Sequence, residues 1–199
     1  MEEIIGRRFQ LSSFQIIILG FAGVILLGAL LLMLPISTTE RCVTPFNEAL
    51  FTATSAVCVT GLVLHDTGSY WSAFGQTIIL TLIQIGGLGV VTVAASFALL
   101  SRRKISLMQR STMQDALSAP NVGGIVRLTK FILWGTFLIE LLGTLVMLPV
   151  FCREYGWQGV WLAVFHSISA FCNAVFDILG TADNLYPSLT GYAQNPIIN

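Results

Sequence analysis

The chain has 199 residues, of which 55% are hydrophobic and 10% are charged, and its formal net charge is zero. Soluble domains carry about 25% charged residues, so this composition excludes a water-soluble globular enzyme and a disordered chain. The balanced charge leaves no basic footprint for nucleic acid, and the four cysteines form no C-x-x-C pair that would predict zinc.

Five apolar stretches follow one another along the chain. Residues 14–34, 74–100 and 131–150 are long enough to cross a bilayer as helices, which takes about 20 residues. Residues 46–64, after the first span, and 160–176, after the last, are shorter and more polar. They are typical of re-entrant segments, which enter the membrane and return on the same side. The sequence therefore predicts an all-α, multi-pass membrane protein.

The distribution of charge predicts its orientation. Arg7 and Arg8 precede the first span, and further basic residues lie in the connector 101–121 and just before the third span. Lys and Arg favour the cytoplasmic side, so we expect the N-terminus in the cytoplasm. The outer loops hold more acids than bases, which would concentrate cations at the mouth of a pathway. The alternative is that these acids only keep the loops soluble.

The chain contains an internal repeat at a shift of 114 residues. Met33-Leu34-Pro35 falls on Met147-Leu148-Pro149, and Ser55-Ala56 falls on Ser169-Ala170. Glu40, Ala49, Phe51 and Cys58 also meet identical residues, namely Glu154, Ala163, Phe165 and Cys172. Each repeat thus predicts a spanning helix that stops at Leu-Pro, a short outer loop, a re-entrant helix and a small polar turn.

The re-entrant segments predict a cation filter. Thr44 as N-cap and Pro45 at the first helical position favour a helix over 45–57, followed by an extended turn over 58–62. The second copy predicts a helix over 158–171 and a turn over 172–176. A helix C-terminus carries about half a negative charge, and turn carbonyls can replace the water shell of an ion. The alternative is an ordinary hairpin of two half-length helices, and the repeat favours the filter.

Specific motifs carry a family resemblance. They are Thr-Ser-Ala-Val-Cys-Val-Thr-Gly-Leu at 54–62, Gln-Ile-Gly-Gly-Leu-Gly at 84–89, Arg-Lys-Ile-Ser-Leu at 103–107 and Ser-Ala-Phe-Cys-Asn-Ala at 169–174. With them the chain resembles the Trk/Ktr/HKT superfamily of potassium transporters, and most closely the Ktr-type membrane subunit of bacteria.

The resemblance implies an architecture of four tandem helix–pore helix–helix units, similar to a tetrameric potassium channel. Residues 1–100 would form the first unit, 101–121 the cytoplasmic connector and 122–199 an incomplete second unit. The expected ion is potassium, with sodium as a second candidate, and no covalent cofactor is implied. Ktr-type subunits pair as homodimers on a cytoplasmic nucleotide-binding regulatory ring in the bacterial plasma membrane, so we expect the same partners here.

The resemblance also implies which residues form the filter. They are Cys58, Val59, Thr60 and Gly61 in the first unit, and Cys172, Asn173, Ala174 and Val175 in the second. Val175 departs from the family, which has glycine at that position. Valine disfavours a positive φ, so we expect either a different backbone there or a strained turn, and altered potassium selectivity.

Other residues have two interpretations each. Glu140 lies in the third span, where an acid is a functional candidate, although it can also simply bond a neighbouring helix. We expect Gly86, Gly87 and Gly89 to serve helix packing rather than gating. His166 is expected to be a satisfied packing residue, and Cys58 and Cys172 to be small buried side chains behind the filter.

Two functions remain from the sequence. The first is monovalent-cation transport, mainly of potassium, by the N-terminal part of an uptake subunit whose third and fourth units lie on a longer chain or on other subunits. The second is a truncated paralogue that does not transport but assembles with or regulates full-length subunits. An enzyme is not expected, because the spans contain no paired carboxylates, nucleophile elbow or metal-ligand cluster.

Overall fold

The computed structural model describes residues 12–89, 92–93, 111–115, 124–196 and 198. The helices are α1 (Ser13–Leu32), α2 (Phe46–Val57), α3 (Thr67–Tyr70), α4 (Ala73–Leu88), α5 (Ile125–Tyr155) and α6 (Gln158–Phe171), with 3-10 turns at Pro35–Ser37 and Ser188–Tyr192. The connector 101–121 lies outside the described residues, apart from the helical residues 111–115.

Helix α1 begins and ends where its sequence dictates. The Ser12 hydroxyl accepts the N–H of Gln15 and the Gln15 side chain accepts the N–H of Ser12, which closes a capping box. The helix ends at Leu32, because Pro35 opens a separate 3-10 turn. Phe14, Ile18 and Leu27 are exposed although they are apolar. Such a surface is stable only against lipid or another apolar partner.

Helix α5 corrects the prediction of a Leu-Pro stop in the second repeat. Pro149 lies inside a continuous helix of 31 residues that ends only at Tyr155. The missing N–H removes one backbone bond, a loss that tertiary contacts can offset. These contacts form because α6 follows after two residues and packs on α5, with Gly159 directly against the backbone of Phe151. Phe151 itself is fully buried.

The two half-length helices α2 and α6 end at equivalent positions of the repeat, since Val57 falls on Phe171. The predicted cap of α2 is wrong in detail. Pro45 is the N-cap, and its carbonyl accepts the N–H groups of Glu48 and Ala49. The Thr44 hydroxyl instead lies 3.1 Å from the Tyr70 hydroxyl, because α3 brings that ring over the start of α2.

Helix α4 joins the two repeats. It packs on α1 and α2 on one side and on α6 on the other. Ile79 and Ile83 are fully buried in a core that also contains Leu32, Ala53 and Phe165. The Trp161 indole N–H donates to the Gln76 side chain at 2.8 Å, and the Gln76 amide donates to the Trp71 carbonyl at 3.0 Å.

The described helices confirm an all-α membrane protein. Helices α1 and α5 are long and apolar enough to cross a bilayer, and less than a fifth of each apolar window is buried inside the protein. Helix α4 covers the first part of the predicted span 74–100 and ends at Leu88, where Gly89 adopts φ +81°. Residues 94–100 of that prediction lie outside the described residues.

Candidate functional site

The turns after α2 and α6 adopt the same backbone conformation. In the first turn, Val59 has φ +56° and Gly61 has φ +73°. In the second, the equivalent residues Asn173 and Val175 have φ +56° and +59°. The residues between them, Thr60 and Ala174, are not in the left-handed region. The sign of φ therefore alternates in the same way along both turns.

Three backbone hydrogen bonds hold each turn in this conformation, and they too are equivalent. In the first turn, the N–H groups of Cys58, Val59 and Thr60 donate to the carbonyls of Thr54, Ala56 and Ser55, at 2.8, 3.3 and 3.0 Å. In the second, those of Cys172, Asn173 and Ala174 donate to Ile168, Ala170 and Ser169, at 2.9, 3.0 and 2.7 Å. These bonds anchor each turn to the C-terminal end of its own helix.

Helix α4 positions both turns. A Cβ on Gly86 would collide with the carbonyl oxygen of Val57, the last residue of α2. A Cβ on Gly87 would lie 2.5 Å from the Cys172 sulfur, at the C-terminal end of α6. The predicted packing role of these two glycines is therefore confirmed. Gly89 is different, because Thr92 is its one near neighbour among the described residues and its positive φ ends the helix.

The two turns lie side by side. A Cβ on Gly61 would be 2.7 Å from both the Ala174 carbonyl oxygen and the Val175 Cβ. The structure thus brings together the predicted residues of both turns, which come from segments more than 100 residues apart. The C-terminal ends of α2 and α6 therefore meet at one place, and each helix end carries a partial negative charge.

For Val175 the sequence predicted either a different backbone or a strained turn, and the structure shows the strained turn. Its φ of +59° matches the glycine-like backbone of the repeat, so the turn keeps its shape and the valine is strained. The cost of such a conformation is about 1–3 kcal/mol. Its side chain is 70% exposed, on the surface next to Gly61.

The serine at the end of each helix braces its turn differently. The Ser55 hydroxyl lies 3.0 Å from the Thr60 hydroxyl. The equivalent of Thr60 is Ala174, which has no hydroxyl, and Ser169 instead donates to the Phe176 carbonyl at 2.7 Å. The second turn is therefore braced two residues further along the chain.

Glu140 joins the repeats through a hydrogen bond. Its Oε1 accepts the Gln84 amide at 2.8 Å, and its backbone carbonyl accepts the Ser167 hydroxyl at 2.6 Å. The Gln84 side chain in turn lies 3.9 Å from the Cys172 sulfur. The acid therefore connects α5, α4 and the start of the second turn.

Two predictions about neighbouring residues need correction. Cys58 is exposed, because α4 contacts the chain at Val57 and leaves the next side chain uncovered. His166 is buried, and its Nδ1 lies 2.8 Å from the Leu162 carbonyl oxygen, whereas Nε2 has no partner among the described residues. The ring face is stacked on Phe151, with the centroids 5.3 Å apart.

An outer cluster was missed by sequence reasoning. His65 Nε2 lies 2.7 Å from Glu48 Oε2, and the His65 ring is stacked on Tyr70. Partial burial raises the pKa of the Tyr70 phenol, so this ring stays neutral. The repeat contains a sign of this cluster. Glu48 and His65 fall on Leu162 and Leu179, so two polar residues of the first copy replace two apolar residues of the second.

A second outer contact joins the two repeats. The buried Asp66 carboxylate accepts the N–H groups of Ser69 and Tyr186, both at 2.8 Å. Burial raises the pKa of the nearby Asp177 carboxyl; the N–H of Leu179 lowers it and the charge of Asp66 raises it further. The predicted outer face of the two turns is therefore acidic, and hydrogen bonds join the two repeats there.

Comparison with known proteins identifies relatives of the whole chain. Residues 9–199 match the TrkH family, described as cation transport proteins. The chain is 42% identical over 174 residues to the potassium/sodium uptake protein NtpJ of Enterococcus hirae, which covers 87% of this chain and 39% of that protein. It is 42% identical over 187 residues to the Ktr system potassium uptake protein B of Bacillus subtilis, and 36% identical over 186 residues to that of Vibrio alginolyticus. Each of these alignments covers 93% of this chain, and 40% and 39% of the respective relative.

The chain thus spans about two fifths of the length of the curated relatives it matches. The relatives come from bacteria, and the names of two of them place them in a Ktr system. The match includes both turns and all the helices described above.

Proposed function

The chain belongs to the TrkH family of cation transport proteins, and we propose that it forms part of a potassium pathway whose selectivity filter contains its two turns. The filter residues would be Cys58, Val59, Thr60 and Gly61 in the first turn and Cys172, Asn173, Ala174 and Val175 in the second. Potassium is the transported substrate, and sodium is the second candidate ion.

One observation carries this proposal. Two segments of different sequence adopt the same alternating backbone, with the same inward hydrogen bonds, at the C-terminal ends of two adjacent half-length helices. An ordinary hairpin turn needs no such alternation. A ring of carbonyls does need it, because each carbonyl must face the axis.

The proposed mechanism uses no covalent chemistry. A potassium ion loses its water shell as backbone carbonyls of the turns replace it, and the partial negative charge at the ends of α2 and α6 favours its entry. The acidic outer loops raise the local concentration of cations before they enter. The electrochemical gradient drives the movement.

A ring around an ion needs more carbonyls than two adjacent turns supply. We propose that further helix–pore helix–helix units complete it and that the assembly is a homodimer on a cytoplasmic nucleotide-binding regulatory ring. The proposed location is the plasma membrane of a bacterium, with a cytoplasmic N-terminus. The long apolar surfaces of α1 and α5 support a membrane location.

Ion flux tests the proposal. The protein, expressed from its native gene, is purified and reconstituted in vesicles, and potassium and sodium uptake are measured with and without the assembled regulatory subunits. We expect uptake of potassium over sodium. Vesicles that take up neither ion under any of these conditions would contradict the proposal.

Val175 favours the second candidate function, a truncated paralogue that assembles with or regulates full-length subunits. The strained, exposed valine beside Gly61 narrows the space next to the turns. This paralogue would bind transporting subunits and change their flux, yet carry no flux alone. Co-reconstitution with a transporting subunit distinguishes the two functions.

A further inference from the structure

The cluster of Glu48, His65 and Tyr70, which we call the outer clamp, has no part in the proposed ion pathway. His65 Nε2 lies 2.7 Å from Glu48 Oε2. The His65 and Tyr70 rings are parallel to within 8°, with centroids 3.9 Å apart. The Tyr70 hydroxyl lies 3.1 Å from that of Thr44. The clamp is thus a connected set of side chains rather than a single ion pair.

The outer clamp joins the two ends of the first turn's segment. Glu48 is in the first turn of α2, and His65 lies four residues beyond Gly61. Helix α2 and the extended stretch 58–65 form a loop that runs from Glu48 to His65. The contact between Glu48 and His65 closes this loop at its outer end, so it sets how far the backbone after Gly61 lies from the helix.

The backbone on both sides of His65 is itself held by the second repeat. The Tyr186 hydroxyl donates to the Leu64 carbonyl at 3.1 Å, and the Tyr186 N–H donates to the Asp66 carboxylate at 2.8 Å. Tyr186 adopts φ +53°, a strained conformation that these bonds maintain. A displacement of His65 would therefore be transmitted to the turn on one side and to the second repeat on the other.

The second repeat shows that folding alone does not need a polar pair at these positions. The residues equivalent to Glu48 and His65 are Leu162 and Leu179, and both are buried in the apolar core. Their turn nevertheless adopts the same backbone as the first. The side chains of Glu48 and His65 are about 30% exposed. Partly exposed ion pairs of this kind contribute little to the free energy of unfolding.

We propose that the outer clamp is a positioning element for ion selectivity. It holds the first turn at the spacing that suits potassium, without touching the ion itself, and the second repeat keeps its turn in place by apolar packing. This inference rests on the proposed function of the turns as a filter.

The test measures the ratio of potassium to sodium uptake in reconstituted vesicles. His65→Phe retains a ring on Tyr70 but cannot bond Glu48, and Glu48→Ala removes the other partner. We expect each to lower the ratio by up to about fivefold, the upper limit for a partly exposed ion pair. The double variant should lose no more than either single one, because both remove the same contact. Glu48→Gln, which keeps an acceptor for His65, should restore most of the ratio.

The matched control is Glu40→Gln. Glu40 lines the same outer cavity of about 310 Å³ as His65 and Tyr70, so this variant removes an acidic charge from the same mouth. We expect its ratio to equal that of the unmodified protein. A similar fall in Glu40→Gln, or additive losses in the double variant, would overturn the proposal, as would an unchanged ratio in His65→Phe. Absence of potassium uptake by the unmodified protein would instead overturn the proposed function.

Discussion

Single residues differ in how well they suit the shape of the two turns. Gly61 adopts φ +73° at no steric cost, whereas Val175 adopts nearly the same conformation against its preference. Gly61 and Val175 occupy equivalent positions of the repeat. The fold therefore imposes the same backbone conformation on both, and the valine must adopt it in spite of its side chain. The surrounding bonds from Ala174 to Ser169 and from Ser169 to Phe176 hold the valine in place.

Val175→Gly should relieve this strain and widen the space beside Gly61. We expect the free energy of unfolding to change little, because glycine also loses more backbone entropy on folding, by about 0.5–1 kcal/mol. The flux of potassium and its ratio to sodium should both increase. Uptake in reconstituted vesicles checks this.

Val175→Ala is the control for that change. It keeps a Cβ next to Gly61 and a residue that disfavours positive φ, so it should leave most of the strain. Equal flux and equal ion ratio in the glycine, alanine and unmodified proteins would contradict a role of Val175 in selectivity.

Whole helices are placed by contacts with α4. Its Gly86 and Gly87 allow the ends of α2 and α6 to approach, while its Gln84 bonds Glu140 on α5. One helix thereby sets the relative position of both turns. The glycines allow close packing of backbone, and the Gln84–Glu140 contact is a hydrogen bond between apolar helices. Each kind of contact can be tested by its own variant.

Gly86→Ala should push α4 away from the Val57 carbonyl. Overpacking of this kind costs about 1–3 kcal/mol, so we expect a lower melting temperature and loss of ion selectivity. Thermal unfolding in detergent, followed by flux in vesicles, measures both. The matched control is Gly135→Ala in α5, where an added Cβ meets nothing within 4 Å. A loss of stability in the control as large as that in Gly86→Ala would show that the effect is not specific to the contact.

Variants of Glu140 distinguish a structural role of its carboxylate from a role in ion binding. Glu140→Gln keeps an oxygen acceptor for the Gln84 amide, whereas Glu140→Leu removes it. We expect the glutamine variant to retain stability and flux, and the leucine variant to lose about 1 kcal/mol, the scale of one bond between membrane helices. Thermal unfolding and potassium uptake check this. Loss of flux in Glu140→Gln with unchanged stability would assign the charge itself to transport.

In the described part of the protein the two turns lie side by side. Hydrogen bonds also join the predicted outer loops of the two repeats. Asp66 and Tyr186 are 120 residues apart in sequence, yet they share a hydrogen bond at the outer face. Helices α1 and α5 carry apolar side chains outward, among them Phe131 and Trp134. These surfaces match a membrane, and the position of the basic residues predicts which side is cytoplasmic.

Labelling of cysteines tests this orientation. Cys42 is exposed and belongs to the first predicted outer loop, so a membrane-impermeant thiol reagent should modify it in intact cells when the other three cysteines are replaced by serine. An Asp115→Cys variant that also lacks Cys42 is the control, because the exposed residue 115 belongs to the predicted cytoplasmic connector. It should react only after the cells are opened. The reverse pattern would place the N-terminus outside.

The sequence by itself determined the membrane class, the repeat, and the ends of α2 and α6. These features depend on local composition and on a pattern that occurs twice, so they can be read without coordinates. The strained turn at Val175 was one of the two outcomes that the sequence predicted, because valine disfavours a positive φ.

Only the tertiary structure decided which distant side chains meet. Pro149 stays helical because α6 packs back on α5, and Glu140 bonds Gln84 across 56 residues of sequence. The contact between Glu48 and His65 likewise depends on how the chain returns after the first turn. Such contacts arise from packing between elements, and their energies depend on distances that no local pattern records.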